Sequence, residues 1–101
     1  MAAFLVVDLV VHDMQQYIDS GYIADVPKIA AKYGGKYRAR GGAVEQLEGD
    51  WLPSRMVIIE FPDMDSLKAF YHCDEYRPYI KIRQGLTDTN LIAVEGLAEP
   101  L

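Results

Sequence analysis

The sequence contains little cysteine and no long apolar run. Cys73 is the one cysteine among 101 residues, so no disulfide forms within the chain and a reducing compartment is expected. The apolar opening MAAFLVVDLVV has no basic residue before it and is interrupted by Asp8, so it is not predicted to be a secretion signal. No apolar run approaches the ~20 residues that span a bilayer. We therefore expect a cytoplasmic protein without a membrane partner.

Motifs for phosphate binding and for nucleophilic catalysis are absent as well. The chain has no Walker loop, no G-x-G-x-x-G and no G-x-S-x-G. Its net charge of −5 opposes binding to a phosphate backbone. RMVIIEF also lacks the RNP-type pattern of several aromatic residues with basic neighbours that an RNA-binding strand carries. His72 and Cys73 are adjacent, so they diverge on a helix and do not chelate a metal together. We expect no nucleic-acid partner, no metal and no cofactor.

The hydrophobic patterns predict one domain over residues 1–101 with the element order β-α-β-β-α-β. The predicted strands are Ala3–Val11, Lys36–Arg40, Arg55–Phe61 and Leu91–Glu95. This order is typical of a ferredoxin-like fold, an α+β sandwich with an antiparallel sheet and helices on one face. A weaker strand signal covers residues 43–48, and the tail from Gly96 is expected to be loosely held.

The first helical region is predicted over residues 14–33, with Asp13 as its N-cap. Pro27 lies inside this region, so either the helix kinks there or a second segment starts with Pro27 in its first turn. Gly34 and Gly35 are expected to end it. After the third strand, Asp63 or Asp65 can cap a second helix, and Asp74 can cap a short third one.

Apolar residues on the strands point to both faces of the sheet. If the helices cover one face, the opposite face carries Phe4, Val6 and Ile58 and cannot stay exposed. A second copy stacked sheet on sheet would cover it. The sequence therefore predicts a homodimer.

Each strand also carries a charge, and these charges suggest where a site lies. They are Asp8, Arg38 with Arg40, Glu60 and Glu95. Unpaired charges under the helices would cost several kcal/mol each, so we expect them on the opposite face, lining a cavity between the two sheets of the dimer. The alternative is a structural ion pair, such as Glu60 with Arg40, that only fixes strand register.

The segment RARGGAVEQLEGDW joins these charges to the one tryptophan. Gly41–Gly42 is interpreted either as a two-residue hairpin turn or as a bulge that re-aims Arg40. Trp51 is placed either over a pocket or in the dimer interface. The helical tyrosines are mainly packing residues, of which one or two turn a hydroxyl toward a ligand.

Several short motifs carry a resemblance to a known family. They are Tyr33–Gly35, Arg40–Gly42, Glu48–Trp51, Glu60–Pro62, and Glu75–Tyr76 followed by Arg83. With them the chain resembles, over nearly its whole length, the bacterial domain-of-unknown-function 1330 family of the dimeric α/β-barrel superfamily. His72–Asp74 departs from the Ser-Pro-like cap that is usual in the family.

The resemblance implies a ferredoxin-like subunit that pairs into a dimer around a barrel-like cavity. The wider superfamily includes cofactor-independent monooxygenases, lactone isomerases and haem-degrading enzymes, but the family brings no established reaction and therefore no catalytic residue. The fold analogy alone does not fix a function.

The residues themselves favour two hypotheses. In the first, the protein is a cofactor-independent enzyme acting on a small aromatic or carbonyl compound. Glu60 or Asp8 would be the general base, and the ligand-binding residues would be Arg40, Arg38, Arg83, Trp51 and Tyr33. In the second, the protein is a non-catalytic ligand-binding or structural homodimer. The sequence does not decide between them.

Overall fold

The computed structural model describes residues 1–98. Within them lie four strands, β1 (Ala3–Val11), β2 (Lys36–Arg40), β3 (Arg55–Phe61) and β4 (Thr87–Glu95). They form a single antiparallel sheet in the order β2-β3-β1-β4. The predicted ferredoxin-like arrangement is confirmed, and β4 begins at Thr87 rather than at Leu91.

In the same described part of the chain, four helices cover one face of this sheet. They are α1 (Met14–Asp19), α2 (Tyr22–Ala31), α3 (Met64–His72) and α4 (Arg77–Leu86). The core lies between the two layers, and it contains Leu5 and Ile59 from the sheet and Ile29 and Phe70 from the helices. The shortest dimension of the molecule is 16 Å, that of one sheet and one helix layer. No helix within residues 1–98 combines the length and apolar character needed to cross a membrane.

Side-chain caps fix the starts of two helices. The carboxylates of Asp13 and Asp63 each accept a hydrogen bond from the backbone N–H three residues later, at 3.1 and 2.7 Å, as predicted. The predicted cap at Asp74 is wrong. Tyr76 is the N-cap of α4, and its side chain makes no capping hydrogen bond to the helix. Asp74 instead forms an ion pair with Arg77.

The first helical region is broken at a glycine rather than at the proline. Gly21 has φ 86°, a left-handed conformation that glycine adopts without strain, and it separates α1 from α2. Pro27 lies inside α2, which starts at Tyr22. A second helical segment is therefore present, but it starts at Tyr22, so Pro27 lies beyond its first turn and not in it.

Residues 41–54 form a loop without regular structure, so the strand predicted over residues 43–48 is wrong. Neither a tight hairpin nor a bulge lies at Gly41–Gly42. Gly41 still donates its N–H to the Met56 carbonyl at 2.8 Å, and the loop starts after it. At the other end of the chain, Gly96 donates to the Ala2 carbonyl at 2.7 Å. The remainder of the predicted loose tail includes residues 99–101, which lie outside the described part.

Candidate functional site

Alternation along β1 divides the sheet into two faces that carry different side chains. Leu5, Val7 and Leu9 are buried under the helices, and their face is termed the inner face. Val6 and Asp8 point to the opposite, helix-free side, termed the outer face. Because neighbouring strands are in register, the residues paired with these positions share their face.

A bulge in β2 moves one arginine to the inner face. Tyr37 pairs with Ile59 and Arg40 with Val57, but the register shifts between them, so Arg38 is an extra residue on β2. Strict alternation would put Arg40 on the outer face beside Arg38. The sequence-based placement of Arg40 is therefore wrong, and Tyr37 and Arg40 share the inner face.

The inner face and the helices enclose a pocket, termed the inner pocket. Its empty space, open mouth included, is about 480 Å³, of which the centre of a water molecule can reach about 40 Å³. These two volumes describe a narrow space with a wider mouth. Its walls combine aliphatic residues with four tyrosines and three arginines: Leu5, Val7, Leu9, Ile23, Val26, Pro27, Val57, Ile59, Tyr17, Tyr22, Tyr37, Tyr76, Arg40, Arg55 and Arg83.

Arg83 contributes the most deeply buried charge of this pocket. The residue lies on α4 and is only 4% exposed, and its Nε has no hydrogen-bond partner within residues 1–98. Burial lowers the pKa of its guanidinium, but the adjacent phenols of Tyr76 and Tyr22 outweigh this effect, so the pKa lies above its ordinary value. The guanidinium is therefore cationic at every physiological pH.

The tyrosines next to Arg83 form a hydroxyl network. The Tyr22 and Tyr76 hydroxyls are hydrogen-bonded at 2.5 Å, and the Tyr17 ring stacks on Tyr22 with centroids 5.2 Å apart. Burial raises the pKa of all three phenols and raises that of Tyr37 to about 12. At neutral pH these groups are neutral hydrogen-bond donors and not bases.

Two further arginines lie at the pocket mouth. The Arg40 guanidinium lies over the Tyr37 ring, 5.3 Å from its centroid, within the range of a cation–π contact. Arg55 starts β3 and packs its guanidinium against Gly41, where any Cβ would overlap Arg55 Nη1 and lie 2.8 Å from its Cζ. Gly41 therefore makes room for Arg55 at the mouth.

Replacing Gly41 by alanine is expected to lower the melting temperature by about 5–15 °C. Gly41 has φ 69°, and a left-handed alanine costs about 1–2 kcal/mol in addition to the displacement of Arg55. Gly42→Ala is the matched control, because a Cβ there meets no atom within 4 Å. Thermal unfolding of both variants by circular dichroism gives the comparison. An equal fall in melting temperature in the two variants would contradict the structural role given to Gly41.

The outer face holds four of the residues predicted for the site. Trp51, 64% exposed, donates its indole N–H to an Asp8 carboxylate oxygen at 3.0 Å. Arg38 donates its Nε–H to Glu60 at 3.0 Å. The suggested ion partner of Glu60 is therefore corrected from Arg40 to Arg38. Within residues 1–98, no group of three His, Cys, Asp or Glu side chains is placed to hold a metal ion.

The predicted residues thus fall into separate groups. Arg40 and Arg83 meet in the inner pocket, whereas Asp8, Arg38, Trp51 and Glu60 lie on the outer face. Tyr33 belongs to neither group and packs against Phe70, with ring centroids 6.3 Å apart. Glu95 pairs with the buried Ala3. By alternation it therefore belongs to the inner face, and not to the outer face on which it was expected.

Sequence reasoning missed Arg55 and Tyr37 as pocket residues and did not single out Tyr17, Tyr22 or Tyr76. A signal for Arg55 was present, since alternation from Val57, Ile59 and Phe61 extends back to it. The placement of Tyr37 follows in the same way from Ile59 once the strands are paired. The tyrosines carry the ordinary helical spacing of core residues, which does not distinguish a pocket wall from packing.

Known structures share this fold at low sequence identity. RPA0582, a protein of unknown function from Rhodopseudomonas palustris, superimposes with a TM-score of 0.75 and 20% identity, covering 97% of this chain and 84% of that one. SnoaB, a cofactor-independent oxygenase from Streptomyces nogalater, gives a TM-score of 0.65 and 13% identity, with coverage of 97% and 95%. A dimeric ferredoxin-like protein of unknown function from Bacteroides fragilis gives 0.58 and 14%, with coverage of 94% and 96%.

The sequence comparisons place the chain more narrowly than the fold does. No curated protein matches it by sequence. The profile of the domain of unknown function DUF1330 matches residues 2–97, which is nearly the whole chain. The chain therefore belongs to the DUF1330 family.

Proposed function

We propose that the protein binds a small molecule in the inner pocket of each subunit. The observation that carries this proposal is the composition of the pocket wall. Aliphatic side chains surround a few convergent polar groups, four phenols and three guanidiniums, which is how binding sites for small molecules are usually built. The limited space restricts the ligand to about the size of one substituted ring, with side chains at the mouth moving aside.

The same pocket is better suited to stabilising negative charge on a ligand than to removing a proton from it. None of its lining residues is a carboxylate, and its phenols hold their protons at neutral pH, so it lacks a general base. Its hydroxyl and guanidinium donors instead suit a ligand on which negative charge develops at an oxygen. If the protein is an enzyme, like its structural neighbour SnoaB, these donors would stabilise an oxyanion and would not remove a proton.

Asp8 and Glu60 remain candidates for a base only in a second cavity. Asp8 lies with Trp51, Met56 and Ile92 in a shallow pocket on the outer face, and Glu60 is held by Arg38. Pairing of two sheets would enclose this region between subunits. In that arrangement Asp8, already hydrogen-bonded to the Trp51 indole, is the better placed of the two carboxylates.

We also propose that the protein is a homodimer formed through the outer face. The outer face is strongly apolar for an exposed surface, with Val10, Ile92 and Val94 at 47%, 61% and 45% exposure. Such a patch is a frequent mark of an interface. The Bacteroides fragilis neighbour of the same fold is dimeric, which supports the proposal.

Two adjacent residues of β3 provide a test that separates the two cavities. Val57 lines the inner pocket and Met56 the outer-face pocket. Val57→Phe is expected to fill the inner pocket and to reduce the affinity for a bound aromatic probe at least tenfold, whereas Met56→Phe leaves it unchanged.

The measurement is an NMR titration of the ¹⁵N-labelled protein with benzoate and with benzamide. Chemical-shift changes are expected at Tyr37, Val57 and Arg83 and not at Val6 or Ile92. Loss of the response in Met56→Phe alone would move the site to the outer face. No response to either probe at the inner-pocket amides would contradict the proposed function.

A further inference from the structure

The charge of Arg83 has no counter-ion within residues 1–98. The four ion pairs of the described residues join His12 with Asp88, Lys32 with Glu75, Arg38 with Glu60, and Arg77 with Asp74. Arg83 is in none of them, although it is the most buried charged side chain of residues 1–98. A buried charge is normally paired, because its desolvation costs several kcal/mol otherwise.

The groups around Arg83 compensate for this burial only in part. The phenols of Tyr22 and Tyr76 present oxygen atoms beside the guanidinium, but their hydroxyls are also bonded to each other. The Nε–H of Arg83 remains without an acceptor in residues 1–98. The buried cation is therefore incompletely compensated, and a ligand acceptor of opposite charge that contacts the guanidinium from the pocket would complete the compensation.

The mouth of the pocket repeats the same charge. Arg40 and Arg55 lie there, and all three cations face a space into which no carboxylate of the lining residues projects. The chain as a whole has a net charge of −5, so this local excess of positive charge is opposite in sign to the net charge of the protein. It would raise the local concentration of small anions at this one place.

We infer that the ligand of the inner pocket is a small organic anion, a carboxylate on an aromatic or apolar body, anchored by the Arg83 guanidinium. This inference rests on the proposed function and adds the chemical class of the ligand. The planar guanidinium matches a carboxylate in two parallel hydrogen bonds, the aliphatic wall and tyrosine rings contact the apolar body, and Arg40 and Arg55 attract the anion at the entrance.

Benzoate and benzamide provide the test, because they have nearly the same shape and differ in charge. Benzoate is expected to bind at least tenfold more tightly than benzamide to the protein in NMR titrations. Arg83→Gln should abolish this preference, and Arg83→Lys should retain part of it. Arg77→Gln on the same helix is the matched control, since Arg77 is exposed and lies outside the pocket, and it should leave both affinities unchanged.

The folded state of Arg83→Gln is checked independently by its melting temperature and the dispersion of its amide signals. Both are expected to be preserved, since the substitution removes a buried charge that has no ionic partner. Equal binding of benzoate and benzamide at the inner pocket, or an undiminished preference in Arg83→Gln, would overturn the inference and leave the proposed function standing. Failure of both probes to perturb the pocket would overturn the two together. If Arg83→Gln unfolds, a reduced preference in folded Arg83→Lys would support the inference, and an undiminished one would overturn it. Full retention of the preference in Tyr37→Phe would exclude the Tyr37 phenol as the anchor.

Discussion

Above pH 10 the protein is expected to lose stability steeply, by up to about 5 kcal/mol for each pH unit. The cause is the cluster of tyrosines around the inner pocket. Burial raises the pKa of Tyr17, Tyr22, Tyr37 and Tyr76 in the folded state, and that of Tyr37 reaches about 12. In the unfolded chain the same phenols ionise near their ordinary value of about 10.

The sign follows from proton binding. Above about pH 10 the unfolded chain releases these protons while the folded chain still holds them, Tyr37 up to about pH 12, so rising pH favours unfolding. Below pH 10 both states hold the protons and the stabilisation is fully present. Each phenol contributes at most about 1.4 kcal/mol per pH unit, and a domain with a total stability of 5–15 kcal/mol should therefore unfold by about pH 12.

Two signals followed along one alkaline titration would measure this effect. Tyrosinate absorbance near 295 nm reports ionisation, and far-ultraviolet circular dichroism reports unfolding. For the tyrosines of the inner pocket the two changes are expected to coincide, and Tyr37→Phe should reduce the slope of stability against pH by about one quarter. Ionisation of all seven tyrosines near pH 10 in a chain that keeps its dichroism would contradict the prediction.

The fold could be predicted from the sequence because its signals are local and agree with one another. Strands Lys36–Arg40 and Arg55–Phe61 have the predicted bounds, since alternation and flanking glycine or proline define both ends. The caps at Asp13 and Asp63 follow from a residue type and a spacing of three. Such features require no knowledge of which strands are neighbours.

The site could not be predicted in the same way, because it depends on register. The extra residue Arg38 moves the Arg40 side chain from the outer to the inner face of the sheet. No residue type in KYRAR predicts this bulge. The assumption that strand charges avoid the helix-covered face also failed for Arg40 and Arg55. That rule describes the average cost of burial, and residues at binding sites are where proteins depart from it.

Dissociation of the proposed dimer is expected when Ile92 is replaced by lysine. Ile92 lies on the outer face of β4, paired with Val6, and is 61% exposed. Its replacement therefore costs the isolated subunit little. In a symmetric dimer each interface carries the substitution twice, and burying two unpaired amines at about 1–3 kcal/mol each weakens association by a factor of about 30 to 10⁴.

Ile18→Lys is the matched control for this change. Ile18 is 48% exposed but lies on α1, on the side of the molecule away from the outer face, so Ile18→Lys should sediment like the unaltered protein, at twice the subunit mass of 11.4 kDa. Sedimentation velocity across a range of concentrations compares the two variants.

The residues that line the inner pocket all belong to one chain, so a single subunit should hold a complete pocket. An Ile92→Lys variant that dissociates but still binds benzoate would confirm this. A dimer that withstands Ile92→Lys would exclude the outer face as its interface, and with it the cavity in which Asp8 could act as a base.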